Sequence, residues 1–173
     1  PDGNQGFRFI GSLSSDYSGT VTYANNTKGE ISTAAAGNSG SPAGTANFVL
    51  TAGQALFDNT QNTGTTYNPL GYSEFNIRNS GGDCVLGNNF SVIGTGFTTL
   101  NPLGSGNAGL GTLNIGANQE LGVYRGSGAV TTMSFTGVVM SGSATFSPKR
   151  NGFGAAASSG GNLSLGPITE TGV

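Results

Sequence analysis

Residues 111 to 146 read GTLNIGANQELGVYRGSGAVTTMSFTGVVMSGSATF, and nearly every second position is apolar while almost none is charged. A period of two marks a strand with one face buried, because successive side chains point to opposite sides of a sheet. In the segment TLNIG it sets Leu113 and Ile115 inward and Thr112 and Asn114 outward. Apolar residues do not recur at helical spacing through any window, and Gly interrupts each candidate helix. The pattern predicts an all-β chain.

Short runs of strand-forming residues recur between turn clusters. They are FRFIG at 7–11, GTVTYA at 19–24, ANFVLTA at 46–52, SEFNIRN at 73–79 and NFSVIGT at 89–95. GTLNIG at 111–116, ELGVYR at 120–125, TMSFTGVVM at 132–140, SATFS at 143–147 and NLSLG at 162–166 follow. Central apolar residues of six runs, Phe48, Phe75, Phe90, Leu113, Phe135 and Leu163, are separated by 27, 15, 23, 22 and 28 residues, a mean of 23. A loose recurrence of that size predicts a right-handed parallel β-helix, a β-solenoid whose coils each contribute two or three short strands. Asn and Gly then take the tight corners. The stretches 25–45 and 151–161 read as surface loops protruding between coils.

An antiparallel β-sandwich is the alternative, since it also consists of short strands with frequent turns. Two-residue hairpin signals are scarce, however: the Asn-Gly and Asp-Gly dipeptides are Asn151-Gly152 and the terminal Asp2-Gly3. The texture is even over all 173 residues, so residues 1–173 are expected to form one solenoid domain or a segment of a longer solenoid.

Composition sharpens the picture. Gly occurs 32 times, Asn, Ser and Thr are abundant, and charged residues make up 8%, which predicts a turn-rich chain with a polar, uncharged surface. A net charge of -2 with six scattered basic residues leaves no electrostatic footprint for nucleic acid. No apolar run approaches the roughly 18 residues of a transmembrane helix. The chain opens on Pro1 rather than Met, which suggests a segment processed or cut from something longer, with a signal peptide removed. Low charge and scarce Lys suit a secreted or surface-displayed bacterial protein.

Residues 110–173 resemble the β-helical passenger regions of bacterial autotransporter-type and related giant surface proteins. The resemblance lies in LGTLNIGANQEL, VTTMSFTGVVMSGSATFSP and GGNLSLGPITETGV, which are similar to successive coils of that family. The family's Lys-x-Gly-x-Gly-Thr-Leu-x-Leu repeat and its translocator barrel do not occur in the sequence. The resemblance implies a right-handed parallel β-helix displayed outside the cell.

The candidate chemistry is thin. Histidine is absent and Cys84 is the single cysteine, which excludes Ser-His-Asp triads, Cys-His pairs and the usual zinc sites. Cys84 reads as a small buried hydrophobe. Carboxylate chemistry remains, and the best set is Glu74, Arg78 and Asp83. Glu74 and Arg78 would share a strand face at even spacing, with Asp83 in the next turn, whether as a glycan-cleaving site or as an exposed ion pair beside a turn residue. Calcium near Asp58, in DNTQN at 58–62, or near Asp83, in GGD at 81–83, is a second candidate, although neither pattern repeats from coil to coil. GSGNAG at 104–109 matches a phosphate-loop glycine pattern, but with no helix after it a plain loop is the better reading. Tyr17, Tyr23, Tyr67, Tyr72 and Tyr124 are the candidate platforms for stacking on sugars.

The expectation is a secreted structural protein of the cell surface with no catalytic residues and no cofactor. It would be a segment or subunit of an extracellular fibre or adhesin, self-associating or continuing a longer chain, with surface glycans as a further partner. A polysaccharide-active enzyme or carbohydrate-binding module on the same scaffold is the first alternative, and a pilus-like β-sandwich subunit polymerised by strand exchange the second.

Overall fold

A computed structural model describes residues 8–11, 15–23, 28–33, 40–52, 57–58, 67–68, 72–79, 83–94, 96–104, 107–123, 132–147 and 162–172. These residues form strands and turns without a helix. The strands are β1 (Arg8–Ile10), β2 (Thr20–Tyr23), β3 (Lys28–Thr33), β4 (Asn47–Ala52), β5 (Phe57–Asp58), β6 (Tyr67–Asn68), β7 (Tyr72–Asn79) and β8 (Cys84–Val85). They continue with β9 (Asn89–Gly94), β10 (Gly96–Gly104), β11 (Ala108–Ile115), β12 (Gln119–Val123), β13 (Thr132–Met140), β14 (Ala144–Ser147), β15 (Asn162–Leu165) and β16 (Ile168–Glu170).

Two sheets hold almost all of them. The first runs β1-β3-β7-β10-β12-β14 and the second β15-β13-β11-β9-β4-β2, with β16 also on β13 and β8 also on β11. From β9 to β15 the chain alternates between the two sheets, and from β10 each of these strands lies beside the one that preceded it on the same sheet. Every pairing within both sheets is parallel. The antiparallel sandwich is therefore the wrong alternative, because strands joined by short hairpins would pair antiparallel. Among the described residues the antiparallel pair is β5 with β6.

Register shows how the apolar pattern becomes a core. Val21 pairs with Phe48, Phe48 with Phe90, Phe90 with Leu113, Leu113 with Val138, and Val138 with Ile168. A second column runs through Tyr23, Leu50, Val92, Ile115, Met140 and Glu170. The middle members of both columns are buried, and Phe48 and Phe90 stack with ring centroids 5.3 Å apart. One buried cluster includes these residues together with Ile31, Leu100, Leu121 and Val123 of the first sheet, so the two sheets share a core. Leu113 and Ile115 are buried while Asn114 is exposed, as the alternation in TLNIG requires.

The ten strands expected from sequence are all present, within a residue or two at their ends except that β11 starts three residues earlier. The expected spacing needs correction. Phe75 lies on β7 of the first sheet, whereas Phe48 and Phe90 are direct partners on the second, so the steps of 27 and 15 residues are one step of 42. The stretch 25–45 is not all loop: it contains β3, with Ile31 fully buried, and the turn at 41–45, with Ser41 and Ala43 buried. The stretch 151–161 lies outside the described residues. So does Asn151-Gly152.

Corners follow local backbone chemistry. At the β11–β12 corner Asn118 adopts φ 60°, a left-handed conformation that Asn tolerates better than most side chains, and its N–H donates to Ser143 O at 2.7 Å. Pro102 sits inside β10, beyond the last β10–β12 pair at Leu100 and Val123, where β7 is the remaining partner.

Candidate functional site

The sequence-derived trio spans the two sheets, and of its side chains that of Asp83 is described. Glu74 and Arg78 lie on β7 in the first sheet, where the register sets Glu74 beside Lys28 and Thr99, and Arg78 beside Ser32 and Leu103. Asp83 stands just before β8, which pairs with β11 in the second sheet. The side chains of Glu74 and Arg78 lie outside the described residues.

Asp83 has a structural use instead. Its Oδ1 accepts the backbone N–H of Asn107 at 2.8 Å, and its Oδ2 accepts Asn107 Nδ2 at 3.2 Å. Asn107 Oδ1 in turn accepts the N–H of Thr132 at 2.8 Å. The three residues stand in adjacent strand starts, spaced 24 and 25 residues along the chain. Each side chain caps the first free donor of the next strand, which is the work of a turn-forming Asx residue. Among the described residues no group of three or more His, Cys, Asp or Glu is placed to hold a metal ion. Of DNTQN, Asp58 ends β5 and pairs with Tyr67 of β6, and residues 59–62 lie outside the described residues.

A second Asn ladder runs across the middle of the same sheet. Asn89 Nδ2 donates to Asn47 Oδ1 at 3.0 Å, and Asn89 Oδ1 accepts the N–H of Thr112 at 2.7 Å. Asn114 Nδ2 reaches Ser91 Oγ at 3.4 Å. Sequence reasoning did not single out these ladders. The signal was there in the recurrence of Asn at strand starts, but its meaning depends on register.

The tyrosines divide. Tyr17 is 42% exposed, with its ring 5.5 Å from that of Phe9, whereas Tyr23 is 4% exposed inside the core and offers no platform for a sugar. Burial first, and the neighbouring Tyr17 second, push the Tyr23 hydroxyl up to about 12. Tyr67 and Tyr72 belong to β6 and β7, and their side chains, like Tyr124 and the thiol of Cys84, lie outside the described residues. The backbone of Cys84 pairs with Ala108. GSGNAG runs into a strand, β11, rather than a helix.

A cavity of about 300 Å³ lies at the last strands, lined by Met140, Gly142, Ser143, Glu170, Thr171 and Gly172. It contains one carboxylate, and Thr171 is tied to Met140 O through its N–H at 2.8 Å. A lone carboxylate supplies neither the second acid nor the base that glycoside hydrolysis uses. Among the described residues no helix is long and apolar enough to cross a membrane. The chain matches no protein-family model, no curated protein and no solved structure.

Proposed function

We propose that the chain is a stretch of right-handed β-solenoid that serves as structural material outside the cell, as a segment or subunit of a surface fibre or adhesin, without catalysis. The observation that carries this reading is the register. From β10 to β15 the chain visits the two sheets in turn, and each strand pairs in parallel with the strand 23 to 30 residues before it, as successive coils of one spiral would. The two longer intervals, 42 residues between Phe48 and Phe90 and 46 between Lys28 and Glu74, both take in the β5–β6 pair as an excursion from the spiral.

Composition supports the extracellular setting: charged residues are 8% of the chain, and side-chain Asn ladders tie neighbouring strands of the second sheet. The resemblance of residues 110–173 to autotransporter-type passenger regions points the same way. Glycans at the cell surface are the natural further partner for such a polar face.

A cryo-electron microscopy map of the purified protein tests the architecture, with strands expected to cross the long axis at about 4.8 Å spacing. Two sheets whose connections do not spiral would overturn it. A glycan-cleavage panel tests the second half of the reading, and turnover abolished by Glu74→Gln would replace the structural role with a catalytic one.

A further inference from the structure

We infer that one copy of the chain receives another end to end, with β2 of the incoming copy adding to β16 as the next parallel strand of the second sheet. The inference rests on the solenoid reading and names the junction.

Hydrogen-bond direction carries it. In a parallel pair the N–H and C=O of one residue point to the same neighbour, and successive residues alternate sides. Val138 N–H donates to Pro167 O at 2.9 Å and Thr171 N–H to Met140 O at 2.8 Å, so residues 167, 169 and 171 face β13. Residues 168 and 170 therefore face away from it. At the other end Asn47 N–H donates to Gly19 O at 2.8 Å, which turns residues 19, 21 and 23 toward β4 and residues 20 and 22 away. Among the described residues β2 and β16 are the outermost strands in this part of the second sheet.

The two edges, unpaired among the described residues, match. Following the register from β2 through β4, β9, β11 and β13 places Val21 to Tyr23 in the same frame as Ile168 to Glu170. In that frame Thr22 N–H of the incoming copy meets Ile168 O, and Glu170 N–H meets Thr22 O. This repeats the arrangement inside the chain, where Asn47 N–H meets Gly19 O. The apolar column is continued as well: Ile168, 54% exposed at its end, would be covered by the half-buried Val21. An interface that joins two different edges does not close on itself, so it propagates into a filament. Glu170 ends the neighbouring column with a carboxylate, which weakens the junction.

Two proline variants test it, since each removes one outward-facing N–H and no hydrogen bond of the chain's own ladder. By sedimentation velocity and negative-stain microscopy the unaltered chain is expected to form concentration-dependent filaments, and Thr22→Pro and Glu170→Pro are each expected to be monomeric. Their equimolar mixture is expected to form a one-to-one dimer, because each supplies the edge that the other lacks. Glu170→Gln is expected to raise the filament fraction, and circular dichroism checks that each variant is folded. Filaments that both proline variants form as readily as the unaltered chain would overturn the junction while leaving the fibre reading standing. An unaltered chain that stays monomeric at its solubility limit would overturn the junction and self-association together.

Discussion

Phe90 lies on Phe48 with ring centroids 5.3 Å apart and planes inclined by 26°, although 42 residues separate them in the chain. Both are fully buried, and Phe90 also meets the edge of Phe135 at 6.2 Å. A ring held between two others loses contacts on both sides when it is removed. Phe90→Ala is expected to destabilise the fold by about 3–5 kcal/mol, and Phe90→Leu, which keeps much of the volume, by considerably less. Urea unfolding followed by circular dichroism measures both. Equal losses for the two variants would show that the site collapses around either one.

Asn88 makes a polar tie across the same layers. It is buried, and its Nδ2 donates to Ala46 O at 2.9 Å and Gly44 O at 3.2 Å, while its buried Oδ1 has no hydrogen-bond partner among the described residues. Alanine here deprives both carbonyls of this donor, at an expected cost of about 1–3 kcal/mol. Asn88→Asp is expected to do more harm at neutral than at acid pH, because a carboxylate facing two carbonyl oxygens is tolerable only when protonated. Unfolding at the two pH values checks the sign.

The strands with clean alternation were legible because burial of one face leaves a mark that needs no tertiary context; TLNIG and TMSF are of this kind. β3 escaped notice because Lys28, Gly29 and Glu30 dilute its signal, yet Ile31 is fully buried. β10 escaped because Gly96, Pro102 and Gly104 read as turn formers, and only the neighbouring strands show that Pro102 lies where one side of the ladder has ended. The placement of the candidate trio was hidden for a related reason. Spacing along a strand predicts a shared face, but β7 belongs to the first sheet and β8, which Asp83 precedes, to the second, a long-range fact absent from local pattern.

Two glycines separate strain from crowding. Gly44 has φ 57°, and a Cβ there would collide with the backbone oxygens of Tyr17 and Ser15, whereas Gly87 has φ 71° with open space around it. Alanine at Gly87 then meets only the left-handed backbone penalty, about 1 kcal/mol. Gly44→Ala adds a clash with backbone that cannot swing aside, so its loss is expected to exceed that of Gly87→Ala by at least ~1 kcal/mol. Thermal unfolding of the pair reads the difference, and equal shifts would mean that the turn at 41–45 yields to admit the methyl group.

Tyr23 gives the fold a limit on the alkaline side. Its hydroxyl is raised from 10.0 to about 12, chiefly by burial and then by Tyr17. Above pH ~10 the unfolded chain gives up this proton while the folded chain keeps it, so the unfolded state binds fewer protons and stability falls as pH rises. The loss begins near the ordinary tyrosine value, steepens toward about 1.4 kcal/mol per pH unit, and levels off once the folded state also ionises, near pH 12. Its total is of the order of 2–3 kcal/mol, two pH units' worth. Tyr23→Phe removes this loss alone and leaves the titration of the lysines untouched. The stability difference between the two chains is therefore expected to be flat below pH ~10 and to shift in favour of Tyr23→Phe above it. Denaturant midpoints across that range measure it, with phenolate absorbance following the ionisation directly, and curves that stay parallel throughout would place the Tyr23 hydroxyl in contact with water.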